Sequence, residues 1–248
     1  YIRITKFSKH TASDFHKALK DLVKKDELNG IVVDLRGNSG GLLRNAIAIL
    51  DEFIDRNTEL LNTKGRTEKS NKSMYSRRNI TVSPDIPVAV LINRSSASAS
   101  EIVSGALQDL DRAVIVGQKS FGKGLVQSIY AMNDTATLKV TTAKYYTPSG
   151  RLIQKLDYLK NGVLTDGYDK KDTMFTTKGG RSVRGGGGIT PDVEVIAEKL
   201  PPFVQALWRQ GVFLNFAAMY DKSKVGYSDR IDITEKILDD FFCGEILI

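Results

Sequence analysis

Two short apolar runs rich in β-branched residues, Ile31 to Leu35 and Val88 to Asn93, each pass through a turn of small polar residues straight into a helix-like stretch. Runs of this length bounded by turn signals read as buried strands. A buried strand feeding a helix, repeated along a chain, leaves few options besides a parallel sheet covered by helices. Leu42 to Ile54 is the helix expected after the first run. After the second, Ile102, Val103, Ala106, Leu107 and Leu110 recur at helical spacing, and Ala113 to Val116 is a further strand. The expected fold is α/β, with parallel strands from Ile31, Val88 and Val114 joined by helices packed on the sheet.

The turn after the second strand holds Ser96, Ser98 and Ser100. Serine is a preferred N-cap, and on this window alone capping is the favoured reading. The same position also suits chemistry, because the free N–H groups and positive end of a helix dipole can stabilise a developing oxyanion. One strand later, Lys123 lies between Gly122 and Gly124 ahead of a strand from Leu125 to Tyr130. A lysine between glycines beside an apolar sheet is poorly hydrated, which favours the neutral amine that a general base requires. A serine needs such a base to become a nucleophile.

Gly117-x4-Gly122-Lys123 approaches a phosphate-binding loop, but Gly124 stands where Ser or Thr is needed and a strand follows instead of a helix. The two histidines, His10 and His16, fall in or beside the first helix. His16 is expected on its solvent-facing side, which leaves lysine as the better candidate base. Between the first strand and its helix, Asp34-Leu35-Arg36-Gly37-Asn38-Ser39-Gly40-Gly41 is glycine-rich. It reads first as a tight turn and second as a source of N–H groups that a ligand can approach.

Ser96 to Ile102 and Phe121 to Gln127 resemble two motifs of the C-terminal processing peptidases, or tail-specific proteases, which are serine proteases with a Ser-Lys arrangement. The Asp34 to Gly41 turn is similar to that family's D-x-R-x-N-x-G-G motif, and Tyr145 to Gly150 and Gly187 to Asp192 match two more. The resemblance implies Ser98 as nucleophile, Lys123 as base, and Gln127 as the residue that orients the lysine. It places the oxyanion hole at the backbone N–H groups of Gly41 and Ala99, with the choice between Gly40 and Gly41 left open. It further implies a crotonase-like core, no cofactor or metal, protein or peptide substrates engaged through their C-termini, and a place in the bacterial cell envelope, periplasmic or extracytoplasmic.

Elsewhere, Tyr1 to Thr5 alternates as a strand, and Thr11 or Ser13 is expected to cap a helix with Ala12, Phe15, Ala18, Leu19, Leu22 and Val23 as its apolar stripe. Glu59 to Thr63 is a short strand. The Lys- and Arg-rich segment from Lys64 to Arg78 contains only Tyr75 as an aromatic, so a solvated rim is preferred over a nucleic-acid surface. Thr135 to Tyr146 alternates as a strand, and residues 155 to 188 read as an inserted hairpin or flexible loop ending in Gly185 to Gly188. The last segment, 201 to 248, is read as helices packing on a core formed by 1 to 200.

A chain of 248 residues can bury a sizeable core, and no apolar run approaches a membrane span. The net charge of +7 is spread through the sequence without a nucleic-acid motif, and Cys243 has no partner for an internal disulfide. No stretch resembles the PDZ domain that members of the family usually carry. Two other classes compete with a protease: a silent peptide-binding member, and an acyl-CoA enzyme of crotonase-like type, which needs no serine-lysine pair.

Overall fold

A computed structural model describes residues 1–24, 28–158, 164–166, 173–196, 200–220 and 233–243. The chain forms two compact units, Tyr1–Ile196 and Ala197–Ile248.

The first unit is built on a five-stranded sheet in the order β1 (Ile2–Arg3), β2 (Ile31–Asp34), β5 (Val88–Ile92), β6 (Val114–Gly117), β13 (Val193–Glu194), with every pairing parallel. The three strands expected from Ile31, Val88 and Val114 are adjacent. Val33 pairs with Val90, and Val90 with Ile115, so one row of side chains crosses the sheet with none exposed. Ile31, Val33, Val88, Val90, Ile92 and Ile115 are buried and Val32 and Val116 half-buried, as a largely helix-covered parallel sheet requires, while Val114 at the start of β6 is exposed. The covering helices are α1 (Thr11–Val23), α2 (Leu43–Leu50) and α3 (Ala99–Asp109).

A second sheet is antiparallel, in the order β4 (Lys72–Tyr75), β3 (Glu59–Gly65), β8 (Thr137–Tyr146), β7 (Leu125–Ala131). The strand after Lys123 is therefore a hairpin arm on the sheet edge, which removes the helix that a phosphate-binding loop would need. Two small hairpins follow, β9 (Leu156–Tyr158) with β10 (Leu164–Asp166) and β11 (Met174–Thr176) with β12 (Ser182–Arg184). The rest of the insertion expected at 155–188 includes residues 159–163 and 167–172, which lie outside the described residues.

Several local expectations change. Helix α1 begins at Thr11 with His10 at the N-cap position, and neither Thr11 nor Ser13 caps it. The Thr11 hydroxyl instead donates to the Lys6 carbonyl at 2.9 Å and accepts from the Ser8 N–H at 2.9 Å. His16 is not solvent-facing: it is half-buried, with Nδ1 2.9 Å from Oε1 of the buried Glu52. The Lys-rich segment is partly ordered as β4, because Met74 and its neighbours pair with β3. Regular α2 ends at Leu50, after which Glu52 and Phe53 bond three residues back, to Ile49 and Leu50.

Helix α3 is buried over all eleven residues, polar ones included. It lies against α2, β6 and β3, so its second face meets protein where a surface helix meets water. Each buried polar side chain of the helix has a partner, as burial demands. Gln108 donates to the Thr190 carbonyl at 3.0 Å, and Asp109 accepts from the Ser149 hydroxyl at 2.6 Å and from the guanidinium of Arg151. That guanidinium, itself buried, also donates to Gln108 Oε1 at 2.9 Å and to the Arg184 carbonyl at 3.0 Å. The β11–β12 turn is fastened nearby, with Arg181 bonded to Asp111 at 2.5 Å and Asp192 at 2.8 Å.

In the second unit, α4 (Pro202–Arg209), α5 (Val212–Met219) and α6 (Glu235–Cys243) gather aromatic rings. Phe241 stacks on Phe213 at 5.4 Å and meets Phe216 edge-on at 5.1 Å. Among the described residues, no helix is long and apolar enough to cross a membrane.

The Arg151–Asp109 pair gives a stability prediction. Arg151→Ala leaves a buried carboxylate without its cation and is expected to lower unfolding free energy by about 3–5 kcal/mol. Urea denaturation checks this, and a loss below about 1 kcal/mol, the level of an exposed pair, would contradict it.

Candidate active site

The turns after β2 and β5 are laced together by small polar side chains. The carboxylate of Asp34, at the end of β2, accepts from the Arg36 N–H at 2.9 Å, from Arg36 Nε at 3.0 Å and Nη2 at 2.8 Å, and from the Tyr1 hydroxyl at 2.6 Å. Burial acts to raise this carboxyl, but the Arg36 and Tyr1 hydrogen bonds outweigh it and hold its pKa at about 2. Buried Asn38 donates to the Ile4 carbonyl at 2.7 Å and accepts the Gly40 N–H at 2.8 Å. Its own carbonyl accepts from the Ala97 N–H at 3.0 Å and the Ser100 hydroxyl at 2.9 Å. Ser96 donates to the Leu35 carbonyl at 2.8 Å.

These bonds separate the three serines. Ser96 and Ser100 are fully buried and committed to the carbonyls of the neighbouring turn. Ser98 is half-buried and occupies the N-cap position of α3 at φ 55°, ψ −112°. A non-glycine residue held at positive φ costs of order 1–3 kcal/mol and persists only where its surroundings over-determine it. Here they do, because both flanking serines are pinned.

Gly40 approaches Ser98 from the other turn at φ 101°, and Gly41 follows it at φ 146° against Phe7. A Cβ at Gly40 would lie 2.8 Å from Ser98 Cβ and 3.0 Å from Ala99 N, and one at Gly41 would lie 2.2 Å from the Phe7 carbonyl oxygen. Neither position has room for a side chain. The Gly40 N–H is already given to Asn38, whereas no hydrogen bond among the described residues is donated by the N–H of Gly41 or of Ala99. Two unengaged donors thus belong to the segments that meet at Ser98, one of them in the first turn of α3, where the helix dipole favours negative charge.

Lys123 reaches this site through a residue that the sequence reading assigned no role. Glu101, with no exposed surface, accepts four hydrogen bonds. Its Oε2 takes the N–H of Ser98 and of Lys123, both at 2.8 Å, and its Oε1 takes the Gly122 N–H and the Ser120 hydroxyl, both at 2.6 Å. Burial pushes the Glu101 carboxyl up, while the bonds from Ser120, Lys123, Gly122 and Ser98 pull against it. Every backbone polar group from Gly122 to Gly124 is paired. The Gly122 carbonyl accepts from Lys155 N–H at 3.0 Å, and the Gly124 N–H donates to Gln154 Oε1 at 2.7 Å. The Gly124 carbonyl accepts from Tyr145 N–H at 3.0 Å, and the Lys123 carbonyl accepts the Tyr145 hydroxyl.

The structure therefore brings together Ser98, Ala99, the Gly40-Gly41 turn and the backbone of Lys123. The half-buried Lys123 side chain makes no hydrogen bond to Ser98 among the described residues, and Gln127 is exposed on the edge strand β7, beside a register shift between Val126 and Gln127. Catalytic hydrogen bonds in unliganded enzymes are often long and tighten only with substrate bound. Glu101 had a readable signal: Ser98-Ala99-Ser100-Glu101 has the spacing of a capping box, in which the glutamate reaches back to the N-cap N–H.

Glu101→Gln tests the hub. Each carboxylate oxygen accepts two donors, so either orientation of an amide sets its NH2 group against two of them. The variant is expected to lose at least about 2 kcal/mol of unfolding free energy, measured by chemical denaturation. Unchanged stability would show that the four bonds do not constrain the fold.

A profile of peptidase family S41 matches residues 1–166. The carboxy-terminal-processing protease of Bartonella bacilliformis is 48% identical over 158 residues, covering 62% of this chain and 36% of that protein. The carboxy-terminal processing protease CtpB of Bacillus subtilis is 42% identical over 155 residues, covering 62% of this chain and 32% of that protein. The chain thus spans about a third of the length of these curated relatives. Among solved structures, a photosystem II D1 C-terminal processing protease superposes with a TM-score of 0.57 at 28% identity, covering 84% of this chain and 45% of that one. With the profile match reaching from the first strand past the serine, glycine and lysine turns, the chain belongs to peptidase family S41.

Proposed function

We propose that residues 1–196 form the catalytic core of a serine protease that hydrolyses peptide bonds near protein C-termini, with Ser98 as nucleophile and Lys123 as general base. The observation that carries this reading is Ser98 itself. Of the three serines it alone is uncommitted to a neighbouring carbonyl, and it stands on a strained strand-to-helix turn next to the unengaged N–H of Ala99, with that of Gly41 in the turn that packs on it. The names of the relatives support the C-terminal preference. An acyl-CoA enzyme would use the same donors but gains nothing from a strained serine tied to a lysine loop. The parallel sheet with packed helices supports a crotonase-like description of the core, and the bacterial relatives support an extracytoplasmic setting.

In this mechanism the Lys123 side chain, carried on four flexible carbons, swings to Ser98 and takes its proton as the hydroxyl attacks the carbonyl. Gln127 then steadies the amine by a hydrogen bond that adds no charge. The tetrahedral oxyanion is received by the N–H groups of Gly41 and Ala99, and losing one such donor costs on the order of 2.7–4 kcal/mol of transition-state stabilisation. Lys123 next returns the proton to the leaving amine, and water completes hydrolysis by the reverse sequence.

In the full-length protein, Ser98→Ala is expected to abolish peptide cleavage, with the circular dichroism spectrum unchanged. Lys123→Arg is expected to be as inactive as Lys123→Ala, because a guanidinium stays protonated. Near-normal cleavage by Ser98→Ala would remove the nucleophile assignment, and substantial activity in Lys123→Arg would remove the base.

A further inference from the structure

Gly187 lies between two lysine side chains that the mechanism does not use. A Cβ placed there would lie 3.4 Å from Lys155 Cγ and 3.6 Å from the Lys119 ammonium nitrogen. The Lys155 ammonium, on a short flexible stem beyond Cγ, can turn to the same space. Both lysines are exposed, and among the described residues neither forms an ion pair. Like charges gathered at one loop with no carboxylate between them repel, and the arrangement becomes favourable when an anion enters it. A third donor is at hand. The N–H of Gly187 gives no hydrogen bond among the described residues, and with glycine there at φ 73° no side chain covers it. The N–H groups on either side are engaged, that of Gly186 by the Leu152 carbonyl at 3.3 Å and that of Gly188 by the Ile153 carbonyl at 2.9 Å, which fixes the loop.

That loop is tied to the reacting serine. The Ile189 N–H donates to the Ser120 hydroxyl oxygen at 2.7 Å, and the Ser120 N–H donates to the Ile189 carbonyl at 3.0 Å. The Ser120 hydroxyl donates in turn to Glu101, whose other oxygen holds the Ser98 N–H. A Cβ at Gly122 would lie 2.7 Å from Lys155 Cβ and 3.0 Å from the Gly187 carbonyl carbon, so the residue before Lys123 lies against both. The lysine pair therefore stands at a set spacing from Ser98, and because an extended peptide advances about 3.3 Å per residue, a few residues of substrate span it. We propose that Lys119, Lys155 and the Gly187 N–H form a subsite for a substrate carboxylate, either the terminal carboxylate of the peptide or an Asp or Glu side chain a few residues from the cleaved bond. A carboxylate anchored there sets the register of the peptide and so determines which bond is presented to Ser98.

This inference rests on the serine-protease reading, and its test separates the two. The full-length protein is given short peptides that differ only in one carboxylate: a single sequence as free acid and as C-terminal amide, and the amide with Glu or Gln at each position flanking the cleaved bond. Wild type is expected to lose at least about fivefold in kcat/KM, through KM, on the neutral member of a pair, the scale of two exposed ion contacts. The pair that responds identifies the carboxylate. The double variant Lys119→Met with Lys155→Met is expected to cleave both members of that pair alike, and the neutral peptide as fast as wild type does. Equal wild-type rates on both members of every pair overturn the proposal. So does a carboxylate preference that survives in the double variant, because the anion is then held elsewhere, and so does loss of cleavage of the neutral peptide. Ser98→Ala, measured alongside, is expected to cleave none of the peptides. If it is inactive while wild type shows no carboxylate preference, only this inference fails, whereas activity in Ser98→Ala removes the reading beneath it.

Discussion

A single buried carboxylate holds the site in register. Glu101 receives the N–H of Ser98 at the start of α3 and the N–H groups of Gly122 and Lys123 in the loop before β7, and it binds Ser120 as well. The two segments come from different sheets, since β5 and α3 belong with the parallel layer and β7 with the antiparallel one. Only a group with two acceptor oxygens and no proton meets four converging donors. The hydrogen bonds offset the desolvation of the charge, and a carboxylate left without them would be costly.

That arrangement depends on a helix that cannot move. Helix α3 is enclosed on every side, and its polar residues serve as anchors: Ser100 to the Asn38 carbonyl, Gln108 to the Thr190 carbonyl, and Asp109 to Arg151 and Ser149. With both ends fixed, the positive φ of Ser98 can be maintained, and the N–H of Ala99 keeps its aim. The same rigidity brings the Gly40-Gly41 turn to Ser98 at a separation that only glycine permits. Geometry prepared before substrate arrives is what lets N–H donors act on charge that develops in the transition state.

Much of this was legible in the sequence. The strands at Ile31, Val88 and Val114 showed as short apolar runs between turns, and the structure makes them neighbours in one parallel sheet. The turns after Asp34 and Asn93 were visible from their glycines and serines. What stayed hidden depended on partners distant in sequence. The far face of α3 carries Glu101, Ser104, Gln108 and Asp109, which periodicity alone assigns to solvent. Tyr145 reads as one more alternating residue of a strand, and nothing local reveals that its hydroxyl meets Lys123. His16 was expected in water because Glu52, its partner, lies 36 positions away. The short strand β4 was masked by a polar, basic composition that pairing with β3 overrides.

The central claim is that the fold activates one serine among three. Reaction of the folded full-length protein with a serine-directed reagent, followed by peptide mapping, reads that directly. The account predicts stoichiometric modification of Ser98 alone, with Ser96 and Ser100 untouched because their hydroxyls are buried and committed. Modification at Ser96 or Ser100, or no modification of protein shown to be folded, would contradict it.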